Sequence, residues 1–500
     1  MFLLTLNEII DEYLNYAPDK NSFWFNGEWK TRKFLKTLAD NCTDTLKKAG
    51  FTHGQRIVSL MPNSPMTFAI MLATWRLGCI FCPFNEKSGE LALLKTLDLL
   101  KPFAVIVSPD VKQDLINALN NNNWPCITSP LDSTFKFSGT GKIFEPDTEN
   151  YAVIFSTSGT TGDPKAVPLT HDNLIDNCRA CKEHIKVLSP EDNFLNVLPN
   201  FHAFGFTIGG ILPFYIGASQ TIIANFMPPS KTIQAVQNSK ANILLLVPTM
   251  LGFMASTIAK MNGAVPKIKL LIAGGDKYNT KIDERVTKAF GVPVLEGYGI
   301  TECSPVLAVN KNAESRKLGT VGQALPGFEL VLKNESGEIL NNASEGVLWV
   351  RGASVAKSYY HDEKNTRERF KDGFFNTGDY VQIDDEGYIK ILDRVTDIII
   401  VGGFNVYPQE VEAVLNNYEG VNTAVVVGMP NSISGEVPKA YILLDSDKPD
   451  IKPDDLIKYC KDRLSHYKVP RAIEFVDSLP ISSTGKILRR VLRQKEREQN

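Results

Sequence analysis

Short apolar runs alternate with amphipathic segments over the first 300 or so residues, and this rhythm limits the fold more than any single motif. Arg56–Leu60 reads as a strand. Ser64-Pro65 then opens a helix that runs to Leu77 and stops at Gly78. A strand through Cys82, a Leu-rich helix from Gly89 to Leu100 and a strand from Phe103 to Val107 follow. Such a β-α-β-α-β order implies a mainly parallel sheet covered by helices. Upstream, Phe34, Leu38, Cys42 and Leu46 mark an amphipathic helix from Thr31 to Ala49, ended by Gly50. The polar stretch from Pro109 to Asn150 reads as surface connection. The rhythm resumes with a helix near His171 and strands at Phe194–Leu198, Gln220–Ala224, Ile243–Val247 and Lys269–Ala273.

From Gly319 the pattern turns β-rich, with short strands at Glu329–Lys333, Gly346–Arg351, Tyr380–Ile383 and Tyr388–Leu392. The charged run Asp393-Arg394-Val395-Thr396-Asp397 interrupts it. Beyond lies an α+β pattern: a helix opened by Pro408, strands Val421–Val427 and Lys439–Leu444, and a helix from Pro453 to Leu464. The expected fold is therefore α/β, with a large N-terminal domain (1–394) of several subdomains. These are mainly parallel, helix-covered sheets and a small β-barrel at about 319–394. A small α+β C-terminal domain, 395–500, follows. About three domain-sized units suit a 500-residue chain.

Composition excludes several classes. With 43% hydrophobic and 22% charged residues the chain is an ordinary globular one, and a net charge of −2 offers no global field for nucleic acid. Met1–Leu6 lacks a basic leader and meets Asn7 and Glu8 at once, so a cytoplasmic protein is expected. Two C-x-x-C pairs, Cys79/Cys82 and Cys178/Cys181, invite a zinc reading. The first pair lies on an apolar strand and the second on a helix about a hundred residues on, so buried small hydrophobes are expected. Two windows, 199–230 and 241–259, contain no acid, lysine or arginine and only one histidine, His202. Gly, Asn and Pro interrupt both, so they read as buried core and walls of an apolar pocket, with a membrane span as the alternative.

One polar stretch stands out between two apolar runs: Ser156-Thr157-Ser158-Gly159-Thr160-Thr161-Gly162-Asp163-Pro164-Lys165. Glycine lets backbone N–H groups approach an anion, hydroxyls donate hydrogen bonds and lysine adds charge. A phosphate loop and a polar hairpin turn both fit. A Walker loop does not, because Asp163-Pro164 follow the last glycine.

Four further motifs follow in order: Tyr298-Gly299-Ile300-Thr301-Glu302, Thr377-Gly378-Asp379, Asp393-Arg394 leading to Gly402-Gly403-Phe404-Asn405-Val406-Tyr407-Pro408, and Ser483-Thr484-Gly485-Lys486. With Ser156–Lys165, they make the chain resemble the adenylate-forming acyl-CoA synthetases over nearly its whole length, and most of all bacterial fatty acid–CoA ligases. The resemblance implies that a carboxylate attacks the α-phosphate of ATP, giving acyl-adenylate and pyrophosphate, after which a thiol displaces AMP. It implies that Ser156–Lys165 hold the β- and γ-phosphates, Thr301 the α-phosphate and Glu302 a Mg²⁺ ion. Gly274-Gly275-Asp276 and Gly297-Tyr298-Gly299 would border the adenine, and Asp379 would accept the ribose hydroxyls. Arg394 would contact ribose or phosphate, Lys486 would be the mobile catalytic lysine, and Gly402-Gly403-Phe404 would line the pantetheine passage of CoA. The region around Arg394 resembles the family's hinge, where many relatives carry Asp or Lys at the position of Thr396, and the C-terminal domain would rotate about it.

Pro199-Asn200-Phe201-His202-Ala203-Phe204-Gly205 matches the family's aromatic gate segment. Amino-acid-activating relatives carry an aspartate here, and Phe201-His202 in its place argues against burying a substrate ammonium. His202 either steers the carboxylate or packs in the core. The implied partners are a fatty or other apolar acid and CoA, with acyl carrier protein as the alternative acceptor. A non-catalytic acyl- or nucleotide-binding regulator is the alternative of another class. The basic tail from Lys486 to Asn500 reads as a solvated helix, with CoA phosphates, a carrier protein or peripheral contact with anionic lipid as alternatives. Lys486→Ala is expected to abolish adenylation while leaving thioester formation from supplied acyl-adenylate largely intact. Measuring the two half-reactions separately checks this, and equal loss of both contradicts the role.

Overall fold

The structure is a computed structural model, and it describes residues 4–137, 141–158, 164–261, 267–334, 336–341, 343–431, 434–445, 451–481 and 487–499. The chain divides into two compact units, Met1–Glu329 with Val350–Phe375, and Leu330–Trp349 with Asn376–Asn500.

The first unit holds two helix-covered sheets. One has six strands in the spatial order Cys126–Thr128, Ala104–Val107, Arg56–Leu60, Ile80–Pro83, Tyr151–Ser158 and Pro164–Thr170. The first five are parallel, and the last pair is an antiparallel hairpin. The other sheet has nine strands. Its centre is parallel: Val294–Gly299, Leu270–Ala273, Ile243–Leu246, Asn193–Asn196, Ser219–Ile222 and Asn21–Phe25 in that order. Antiparallel strands close both edges. Strands such as Ile243–Leu246 and Ala104–Val107 are buried along their whole length, which explains their continuous apolar runs.

The expected helix from Thr31 is Arg32–Lys48, with Thr31 accepting the Phe34 N–H at 3.2 Å as its N-cap. Leu35, Leu38, Ala39, Cys42 and Leu46 form its buried face, and Phe34 is only half-buried. The helix Pro65–Arg76 is buried on every side through Trp75, as an apolar helix between layers must be. Its Phe68 meets Phe214 edge-on at 5.4 Å, and its Trp75 donates Nε1–H to the Ala152 carbonyl at 2.7 Å.

The stretch from Pro109 to Asn150 contains more than surface connection. Gln113–Asn121 is a helix, and Cys126–Thr128 extends the first sheet in parallel. Leu115, Leu119, Trp124 and Ile127 join the core. The helix buries only Leu115, Ala118 and Leu119, and its Asn- and Gln-rich outer face gives the stretch its loop-like composition. Two N-terminal elements also went unread: helix Leu6–Asn15, with a Thr5/Glu8 capping box, and strand Asn21–Phe25, which pairs with Ser219–Ile222.

All eight cysteines are free thiols. Cys79, Cys82, Cys178 and Cys181 are buried, and burial pushes the Cys79 and Cys181 thiols up to about 12. Among the described residues, no helix is long and apolar enough to cross a membrane.

The second unit takes the larger part of the strands Glu329–Lys333, Glu345–Arg351 and Phe374–Ile383 and all of Ile389–Arg394, neighbours in that order. Its other layer is a five-stranded sheet in which Val421–Asn431 and Gly435–Leu444 form a long antiparallel pair. Helices Pro408–Asn416 and Pro453–Lys461 pack Val411, Leu415, Leu456 and Cys460 against it. The C-terminal helix Arg489–Gln499 adds Leu492 on the opposite side. Leu119→Ala is expected to cost about 2–5 kcal/mol, the range for emptying a buried leucine site. A lowered midpoint in chemical denaturation checks this, whereas an unchanged midpoint would return 113–128 to the surface.

Candidate active site

In the first unit, the polar stretch sits at the end of a β-hairpin. Ser156 pairs with Ala166, Thr157 with Lys165 and Ser158 with Pro164. Gly159, Thr160, Thr161 and Gly162 lie outside the described residues, and the side chains of Thr157 and Ser158 do too. Lys165 is half-buried, and its Nζ donates to Asn365 Oδ1 at 2.8 Å. The same ammonium lies 5.3 Å from the Tyr359 ring centroid.

Thr301 opens a single 3₁₀ turn, Thr301–Cys303, directly after the strand Val294–Gly299. The Ile300 N–H donates to the Pro305 carbonyl at 2.9 Å, which tightens the turn. A Cβ on Gly299 would stand 2.3 Å from the Pro305 carbonyl oxygen, so only glycine allows this approach. Three bonds strap the segment 354–359 to the turn. Ser304 Oγ donates to the Ser354 carbonyl at 2.7 Å, the Ala356 N–H to the Glu302 carbonyl at 2.8 Å, and the Tyr359 hydroxyl to Glu302 Oε1 at 2.7 Å. Burial, then the neighbouring Glu302 charge, raise the Tyr359 pKa far above the usual phenol value.

Beside this turn a narrow apolar pocket follows one face of the nine-stranded sheet. Gly274, Gly275, Gly297, Tyr298 and Gly299 form one end, at the carboxyl ends of two parallel strands. Leu245 and Ile272 line the middle, and Phe194, Ile243 and Leu270 lie at the other end. Cys181, Ile185 and Leu188 cover one side, and Phe204, Ile208 and Leu212 another. Among the described residues, no acid, lysine, arginine or histidine lines it. From Gly274 to Leu270 is four residues of strand, a depth of about 13 Å.

The Phe204 wall is a π-helix, Phe204–Ile211, continuous with the helix Leu212–Ile216. Buried amides hold it. Asn200 Nδ2 donates to the Gly205 carbonyl at 3.0 Å, and Gln220 Nε2 to the Gly210 carbonyl at 3.1 Å. His202 is exposed and touches Phe201 at 4.7 Å between ring centroids, so it is not a core histidine.

A second polar cluster sets the strand that carries Tyr298. Asp283 takes a two-pronged ion pair from Arg316, 2.8 Å at each oxygen, and Arg316 also reaches the Val294 carbonyl at 2.9 Å. Glu296 is buried, accepts the Gly319 N–H at 3.0 Å, and is pushed up to about 7 by burial. Asp276, half-buried, accepts the Lys277 N–H at 2.8 Å.

In the second unit, Asp379 and Arg394 are register partners on paired strands, with Arg394 Nε 3.1 Å from Asp379 Oδ1. Asp379 is buried, and its N–H donates to Thr377 Oγ1 at 3.1 Å. Gly402 and Gly403 form the positive-φ turn of the hairpin between Ile399–Val401 and Phe404–Val406. Phe404 is 58% exposed and stacks on Tyr467 at 4.8 Å. Arg493 bonds the Thr396 carbonyl and pairs with Asp397 at 2.7 Å, while Arg489 pairs with Glu412 and Lys495 with Glu474. Three cations of the basic tail are therefore engaged within their own unit. Lys486 lies outside the described residues.

The structure thus brings Lys165, Glu302 and Thr301 into one neighbourhood, places Gly274, Gly275 and Tyr298 at the cavity mouth, and joins Asp379 to Arg394. Sequence reasoning missed Tyr359, Asn365 and the amides of Asn200 and Gln220. The doublet Tyr359-Tyr360 was visible, but nothing local marks its link to Glu302, 57 residues away.

Residues 10–360 match the family model described as AMP-binding enzyme, and residues 410–486 match the AMP-binding enzyme C-terminal domain. The chain is 30% identical over 543 residues to a long-chain-fatty-acid–CoA ligase of Bacillus subtilis (strain 168), covering 99% of this chain and 95% of the relative. It is also 30% identical over 483 residues to a feruloyl-CoA synthase of Amycolatopsis sp, covering 96% of each. Among solved structures, ATP-bound MatB from Rhodopseudomonas palustris matches with a TM-score of 0.89 at 27% identity, covering 98% of this chain and 99% of that one.

A buried acid with a raised pKa holds its proton longer in the folded state. Its contribution to stability is complete below the ordinary value of 4.5 and is lost as the pH rises through about 7. Glu296→Gln keeps an acceptor for Gly319 and removes the titration. The wild type is expected to lose melting temperature relative to this variant between pH 5 and 8, and parallel curves would contradict it.

Proposed function

The chain belongs to the AMP-binding enzyme family, the adenylate-forming CoA ligases, and from that premise we propose that it activates a fatty acid of medium length with ATP and transfers the acyl group to CoA. The observation that carries this reading is the uncharged cavity opening at Gly274 and Tyr298. Its apolar walls favour an alkyl chain, and they offer no counter-ion to an ammonium or a second carboxylate. A depth of about 13 Å takes a chain of about ten carbons. The similarity to a feruloyl-CoA synthase raises an aryl acid as the second reading. Among the described lining residues Tyr298 alone carries a hydroxyl to meet a phenol, so the alkyl acid fits better.

In this reading the acid's carboxylate stays at the mouth of the cavity. One carboxylate oxygen forms a bond to the α-phosphorus of ATP, and the bond from that phosphorus to the bridging oxygen of the β-phosphate breaks. Two anions must meet, so the residues act by neutralising charge and by positioning. Ser156, Thr157, Ser158, Gly159, Thr160, Thr161, Gly162 and Lys165 orient the departing pyrophosphate. Thr301 donates to the α-phosphate, and His202, exposed, donates to the acid's carboxylate. Gly274, Gly275, Asp276, Gly297, Tyr298 and Gly299 border the adenine. Asp379, held by Arg394, accepts the ribose hydroxyls. Lys486 neutralises the charge that builds during adenylation. The thiol of CoA, entering past Gly402, Gly403 and Phe404, then attacks the acyl carbon and AMP leaves. The domain boundary in this reading is 394/395.

Glu302 suits Mg²⁺: its carboxylate is a hard donor, and Mg²⁺ is usually bound by one or two carboxylates together with substrate phosphates. When bound, such an ion would supply charge neutralisation at the phosphates, and Glu302 would hold it.

Acid-dependent exchange of pyrophosphate into ATP, followed by thioester formation with CoA or acyl carrier protein, tests the reading. Activity is expected to peak with alkyl acids of medium length and to use CoA. Absence of exchange with every alkyl and aryl acid overturns it. Ile272→Trp, which fills the middle of the cavity, is expected to shift the preference towards shorter acids by several carbons with the KM for ATP unchanged. An unaltered chain-length profile would remove the acid from this cavity.

A further inference from the structure

We infer that Tyr359 is a positioning residue for the metal–phosphate half of the site, aligning the Glu302 carboxylate and the Lys165 ammonium together. The inference rests on the reading of Glu302 as the ligand for the divalent cation. The Tyr359 hydroxyl donates to Glu302 Oε1 at 2.7 Å. Among the described residues Oε2 takes no hydrogen bond, so one oxygen is anchored and the other is left for an ion. The flat face of the same ring attracts the Lys165 ammonium, 5.3 Å from its centroid and within the range of a cation–π contact.

The side chain is built to stay in place. It is 4% exposed, and its ring meets Phe370 edge-on at 5.6 Å. Its backbone N–H donates to Thr366 Oγ1 at 3.0 Å, and the next N–H, of Tyr360, donates to the Ala166 carbonyl at 2.8 Å, beside Lys165. The opposite side of Lys165 is held by Asn365, whose Nδ2 donates to Asp362 Oδ2 at 2.6 Å. Tyr359 therefore couples two groups that are about 140 residues apart in the chain and act on the same phosphates. A carboxylate held by an outer partner keeps its aim, and removing such a partner costs about 10–100-fold in metal affinity.

The test is the binding of Mn²⁺ to the full-length protein in the presence of ATP, followed by electron paramagnetic resonance of protein-bound Mn²⁺. Tyr359→Phe removes the hydroxyl and keeps the ring, and is expected to raise the half-saturating Mn²⁺ concentration about tenfold. In a Glu302→Gln background the same change is expected to add less than about twofold, because the hydroxyl acts through the carboxylate. Tyr359→Leu also removes the ring face, and is expected to weaken binding of pyrophosphate without metal, which Tyr359→Phe leaves unchanged. A wild-type Mn²⁺ midpoint for Tyr359→Phe, or full additivity with Glu302→Gln, overturns the inference. Absence of ATP-dependent Mn²⁺ binding to the wild type overturns the reading of Glu302 instead.

Discussion

The first unit depends on a small set of buried amides. Asn63 Nδ2 bonds the Leu198 carbonyl at 2.8 Å and Asn196 Oδ1 at 3.1 Å, and Asn63 Oδ1 receives the Asn200 N–H at 2.8 Å. Asn196 Nδ2 passes the chain on to Gln220 Oε1 at 3.0 Å. These groups satisfy backbone that leaves a strand and enters a π-helix inside the core, where an unpaired polar group costs about 1–3 kcal/mol. With the backbone secured, the rest of 199–216 can be apolar. Phe206 then packs on Phe81, Phe155 and Trp75, joining it to the six-stranded sheet and the buried helix. Phe204 and Ile208 turn the other way and wall the cavity.

The polar half of the site follows the opposite rule. Its residues come from short segments with little regular structure: the hairpin end at Lys165, the turn at Thr301 and the strap 354–366. None of them could hold a side chain in place alone. The strap supplies what they lack, through Ser354, Ala356 and Tyr359 to the turn and through Tyr360 and Asn365 to the hairpin. Hydrogen bonds to a charged group are among the strongest a protein makes, so Tyr359 on Glu302 is a firm joint.

Much of this was legible in the residues themselves. The parallel sheets follow from fully apolar strands such as Ile243–Leu246 spaced by helical segments. The Thr31 and Ser64 helix starts carry their own capping side chains, and Pro408 marks a third start as the first helical residue. Where reading failed, the local signal was outweighed. Gln113–Asn121 looks like a loop because six of its nine residues face solvent or are only partly covered, and its buried Leu115 and Leu119 join a core built largely from segments far off in the chain. The strand Asn21–Phe25 has one partner close by, Glu28–Thr31, but the partner that joins it to the nine-stranded sheet, Ser219–Ile222, lies about 200 residues on.

The sequence by itself determined the alternation of elements, the charge-free walls, and the family motifs from Ser156 to Lys486, because periodicity, charge and spacing are local properties. Only the tertiary structure decided that His202 faces solvent, that one pocket is lined by residues as far apart in the chain as Cys181, Phe194, Leu270 and Tyr298, and that Tyr359 stands between Lys165 and Glu302. The physical reason is distance along the chain. Contacts between groups tens to hundreds of residues apart depend on which sheets and turns close upon one another, and no local pattern records that choice.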